Sequence, residues 1–122
     1  MTLNEYQKKA MATCMPSCDN FAYMMLNLMG EVGELASKAA KDIRKGMITI
    51  GDDDIYFVPG VEYGERLDRL EEYKKEAGDI LWQLAGLCHA MGWSLEEIAE
   101  QNLAKLASRK QRGVIDGEGD NR

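Results

Sequence analysis

Glu31 and Glu34 stand three residues apart in "LMGEVGELASKAAK", residues 28–41, a stretch otherwise rich in Leu, Val, Met and Ala. Glu76 and Asp79 repeat that spacing in "EAGDILW", again in an apolar setting. Positions i and i+3 lie side by side on one face of a helix, and a carboxylate is costly to bury unless a partner holds it. Either pair alone reads most simply as the wet face of an amphipathic helix. Together they admit another reading. Two such helices packed antiparallel can gather four carboxylates, and four close anions repel and raise one another's pKa unless a cation lies among them. Carboxylates and water suit Mg²⁺, with Mn²⁺ as a substitute. Gly30, Gly33 and Gly78 sit beside the acids. A helix glycine costs roughly 1 kcal/mol relative to alanine, so a backbone or a ligand is expected to approach closely there.

A complementary set lies downstream. Asn102, Lys105 and Arg109 fall at i, i+3 and i+7, which is one helix face. A Lys–Arg pair so placed can hold a polyphosphate that also bridges the cations. It is equally the basic last turn that a helix dipole favours.

These residues need helices to position them, and the periodicity supplies four. The first runs from about Thr2 to Thr13, and "CMPSCDN" interrupts it, since Pro16 disfavours a helical Met15. Ser17 or Asp19 is the expected cap of the second, which runs from about Asn20 to Arg44 and ends at Gly46. The third spans about Arg66 to Met91, with Gly92 as its stop, and the fourth opens at Ser94, whose capping-box partner is Glu97, and ends at Gly113. Between the second and third, "MITI" and "IYFV" flank "GDDD", the pattern of a short hairpin. Asp52, Asp53 and Asp54 lack the spacing and closing Glu of a calcium loop, so they read as a solvated turn. The expected fold is all-α: one domain over 1–122, a bundle of about four helices with a short hairpin-like insertion around 47–58.

The totals agree. The chain has 122 residues, 21 acids against 15 bases and a net charge of -6. Such a balance argues against a nucleic-acid polymer as partner, because phosphate contacts rest on Lys and Arg. No apolar run approaches the length of a membrane span, and the opening residues lack the apolar core of a signal peptide, so the expected compartment is cytoplasmic. Cys14, Cys18 and Cys88 read as reduced thiols; with His89 they have neither the spacing nor the fourth ligand of a zinc site. So short a chain builds only a small core, and burial shared with a second copy is expected.

The segments "GEVGELASKAAK", "KKEAGDILWQLAGL" and "SLEEIAEQNLAKLASRKQRGVIDGEGDNR" together resemble the MazG-like nucleotide pyrophosphohydrolases. These belong to the all-α NTP pyrophosphatase superfamily, with the dimeric dUTPases and phosphoribosyl-ATP pyrophosphatases. The resemblance covers about Tyr23 to Arg122, and the family's ExxE and ExxD motifs stand here as Glu31–Glu34 and Glu76–Asp79. The gap between the motifs is longer than in compact members, and the hairpin accounts for the excess.

The resemblance implies hydrolysis of a nucleoside triphosphate between its α and β phosphates, giving a monophosphate and pyrophosphate. It implies Mg²⁺ held by Glu31, Glu34, Glu76 and Asp79, with Glu34 as candidate base for the attacking water. Lys105 and Arg109 would steady phosphate oxygens, and Asn102 would bind phosphate or sugar. Lys38 and Lys41 are further phosphate candidates, though a solvated lysine is the simpler reading for either one. Trp82 is a candidate for stacking on the base, as are Trp93, Phe21 and Tyr23; a core role is the simpler reading for each tryptophan. The resemblance also implies a homodimer or homotetramer. Two other readings stay open: a specialised dUTP/dUDP or phosphoribosyl-ATP hydrolase, and a non-catalytic helical module for nucleotide sensing or dimerisation.

Overall fold

The computed structural model describes all 122 residues. Four helices and one hairpin follow in the order α1 (Leu3–Met11), α2 (Phe21–Arg44), β1 (Ile48–Ile50), β2 (Ile55–Phe57), α3 (Tyr63–Ala90) and α4 (Leu95–Gln111), with a single 3₁₀ turn at Pro16–Cys18. Local chemistry sets most boundaries. Thr2 and Glu5 form a reciprocal capping box at the start of α1. Asn20, rather than Ser17 or Asp19, caps α2: its Oδ1 accepts the Tyr23 N–H at 2.9 Å. The 3₁₀ turn consumes the two earlier candidates, and the Ser17 carbonyl in turn accepts from the Asn20 amide.

Ser94 caps α4 by accepting from the Glu97 N–H at 3.3 Å. The return half of the expected box is replaced: the Glu97 carboxylate accepts from Gln101 one turn on. Gly46 and Gly92 follow α2 and α3 with φ of 73° each, the left-handed conformation that lets a helix stop sharply. The hairpin is antiparallel, with Ile48 opposite Phe57 and Ile50 opposite Ile55.

The register between α2 and α3 is read from their partners. Met24 meets Gly86, Asn27 meets Gln83, Lys38 meets Glu72 and Glu76, and Asp42 meets Arg69 and Tyr73. Numbers rise along one helix as they fall along the other, so the pair is antiparallel. The approach is close at Gly86, where a Cβ would come within 2.4 Å of the Met24 sulfur. A glycine there lets the helices pack around a methionine that is wholly buried.

α1 lies on the C-terminal half of α3. The Gln7 amide donates to the Ala85 and Trp93 carbonyls and accepts from the Leu95 N–H, so one side chain ties α1 to α3 and to the start of α4. Ala85, Cys88 and Leu95 form the small core at that junction, flanked by Leu3, Tyr6, Met11 and Ile98.

Only 12 residues are buried, and many large apolar side chains of α2 and α3 are open: Val32, Leu67, Leu70, Leu81 and Leu84 are all exposed. An apolar cleft of about 390 Å³ runs between α2 and the hairpin, lined by Val32, Leu35, Ala39, Ile48, Ile55 and Tyr73. Two long helices and a hairpin cover one side of the helical stripes and leave the other unpartnered. No helix is long and apolar enough to cross a membrane.

Candidate metal centre

The antiparallel register brings three of the four paired acids together. Carboxylate oxygens of Glu31, Glu34 and Glu76 lie within 4.8 Å of one another. Asp79 stands exposed outside that trio, so three of the four expected acids converge. Asp79 still reaches the group electrostatically. Burial, then the charges of Glu34 and Asp79, push the Glu31 carboxyl above its ordinary range, while a hydrogen bond from Asn27 pulls it down.

Glu76 is 6% exposed. Its Oε1 meets the Lys38 ammonium at 2.5 Å, and its buried Oε2 has no hydrogen-bond partner. A buried carboxylate oxygen without a partner is expensive. With Glu31 and Glu34 beside it, the three carboxylates could together hold a cation. The donors are all oxygen, which fits a hard divalent ion of the Mg²⁺ class.

Lys38 also pairs with Glu72 at 3.0 Å, and Lys75 reaches the other Glu72 oxygen at 2.8 Å. Hydrogen bonds from Lys75 and Lys38 hold the Glu72 carboxyl down to about 2. Lys38 is therefore not a free solvated lysine; it is part of the acid site. Lys41 opens on a neighbouring cleft of about 200 Å³ with Lys38, Asp42, Lys45 and Arg69.

The cationic face of α4 is engaged elsewhere. Lys105 meets Asp120 at 3.3 Å, and Arg109, 5% exposed, meets the same carboxylate at 3.1 Å and the Asp120 carbonyl at 3.0 Å. These two cations hold the Asp120 carboxyl below its usual range, Arg109 contributing first. Every polar partner of the Lys105 and Arg109 side chains lies at Gly119 or Asp120. Asn102 and Lys105 line an open cleft of about 420 Å³ with Ile98 and Gln101.

Trp82 serves α1: its indole N–H donates to the Ala10 carbonyl at 3.1 Å and to Thr13 at 3.0 Å. Trp93, Phe21 and Tyr23 are exposed. The three glycines beside the acids meet no other backbone. A Cβ at Gly33 or Gly78 would have nothing within 4 Å, and one at Gly30 would touch only Asn27 at 3.5 Å, so the expected close approach is not made within this chain.

Two polar groups escaped the sequence reading. Asp42, 2% exposed, accepts from the Tyr73 hydroxyl with Arg69 at 3.5 Å. Gln83 is buried against Asn27 and Met24. Helical spacing puts Asn27 one turn before Glu31 and Gln83 two turns after Glu76, on the faces of the acids, but it does not pair them across the helices and gives no sign of Asp42.

The family described as MazG nucleotide pyrophosphohydrolase domain matches residues 20–114, which include every acid of the cluster. The gene 37 protein of Mycobacterium phage L5 is 39% identical over 106 residues, covering 87% of this chain and 80% of that protein. No solved structure matches.

Proposed function

Because the chain belongs to the MazG nucleotide pyrophosphohydrolase domain family, we propose that it hydrolyses nucleoside triphosphates between the α and β phosphates with Mg²⁺. The products are a nucleoside monophosphate and pyrophosphate. The observation that carries this reading is the partnerless, buried Glu76 Oε2 within a cluster of all-oxygen donors.

Glu31, Glu34 and Glu76 hold the ion, with Asp79 close at hand. When bound, Mg²⁺ neutralises phosphate charge and lowers the pKa of the attacking water. Glu34 is the base. It is exposed and has no hydrogen-bond partner in the chain, so it is free to accept the water's proton. The water oxygen bonds to phosphorus, the bridging P–O bond breaks, and pyrophosphate leaves with the electron pair. Lys38 fixes Glu76 and faces the developing charge. Lys105 and Arg109 bind phosphate oxygens by exchanging Asp120, an 84% exposed carboxylate, for the substrate. Asn102, on the same face, bonds phosphate or sugar.

The open apolar stripes support a homo-oligomer whose second copy covers them. Broad use of triphosphates would make its role housecleaning of the nucleotide pool. A panel of ribo- and deoxyribonucleoside triphosphates, each incubated with Mg²⁺ and resolved by chromatography, tests the reading. Monophosphate from several bases supports it. Turnover of a single member narrows the enzyme to a specialist, and binding without product makes the domain a sensor.

A further inference from the structure

A chain of amides leads from the buried face of α3 to the acid cluster. Gln83 is 1% exposed, and its Nε2 donates to the Met24 carbonyl at 3.3 Å and contacts the Met24 sulfur at 3.0 Å. Its Oε1 accepts from Asn27 Nδ2 at 2.8 Å. The same Nδ2 donates its second hydrogen to Glu31 Oε1 at 3.2 Å.

The polarity of this chain has one solution. A backbone carbonyl can only accept, so Gln83 must turn its NH₂ to Met24. That leaves the Gln83 oxygen facing Asn27, which must answer with its own NH₂. Asn27 thus presents a fixed donor to Glu31, and an ionised carboxylate is the partner that suits it. The chain spans both helices, and its anchor is a main-chain group of α2, so it is fixed by the fold and not by solvent.

We propose that Asn27 and Gln83 are positioning residues of the metal centre. They hold one oxygen of Glu31 and thereby leave the other for the cation. This inference rests on the metal reading of Glu31, Glu34 and Glu76. It predicts an effect that packing alone does not: Asn27 and Gln83 act in series, so losing either removes the same restraint.

The test is Mn²⁺ affinity, read by electron paramagnetic resonance on the full chain without substrate, for Asn27→Ala, Gln83→Met and the double variant. Thermal melts accompany each. Removing a group that orients a metal ligand weakens binding by about ten- to a hundredfold. Each single variant is expected to raise the Mn²⁺ Kd about tenfold, and the double variant no further, because residues in one network are not additive. Asn27 is only partly buried, so Asn27→Ala carries the test if Gln83→Met fails to fold. An unchanged Kd in Asn27→Ala, or single effects that multiply in the double variant, overturns the inference while the metal reading stands. A parent chain that binds no Mn²⁺ overturns both.

Discussion

Glu76 is the residue on which the site turns, because it is buried, shares one oxygen with Lys38 and leaves the other without a partner. Glu76→Gln keeps the shape and removes the charge. Turnover should fall below detection in a steady-state assay while the circular dichroism spectrum is unchanged; undiminished activity would remove Glu76 from the metal set. Tyr73 is the second informative residue. Burial, then its hydrogen bond to Asp42, push its hydroxyl up to about 12. The sign is that of a raised folded-state pKa: the stability it contributes is complete below the ordinary value of 10.0 and is lost as pH climbs towards 12. Tyr73→Phe leaves buried Asp42 with Arg69 alone, which should cost about 1–3 kcal/mol at neutral pH. It should also flatten the loss of stability above pH 10.0, both measured by urea unfolding.

At the scale of elements, α1 is held by few contacts, and Gln7 makes three of its polar ones. Gln7→Ala leaves the Leu95 N–H without its acceptor, so a loss of about 1–3 kcal/mol is expected in chemical denaturation. A neutral result would mean that water or the small core at Ala85, Cys88 and Leu95 suffices to seat α1. Much of this organisation was legible beforehand. The four helices, the hairpin and their glycine stops follow from periods of 3.6 and 2 and from local capping, and of the four acids in the paired motifs Glu31, Glu34 and Glu76 come together while Asp79 stays outside.

What was not legible depends on the register between helices. Asn27 meets Gln83, and Tyr73 meets Asp42, only because α2 and α3 slide to one relative height, set partly by Gly86 against Met24. No local pattern encodes that height. Asp120 on Lys105 and Arg109 was equally hidden, since it depends on how the tail after Gly113 turns back on α4.

At the scale of the whole molecule, a chain of 13.7 kDa leaves open an apolar surface that would favour association. Sedimentation equilibrium should report a mass that is a multiple of 13.7 kDa. A single-copy mass at micromolar concentration would mean that the open stripes serve another partner. The proposed chemistry rests on one bond of the substrate. Phosphorus NMR of a nucleoside triphosphate incubated with the protein and Mg²⁺ reads that bond directly. The account predicts that the monophosphate and pyrophosphate signals grow together, with no diphosphate at any time. Nucleoside diphosphate and inorganic phosphate as the first products would contradict it.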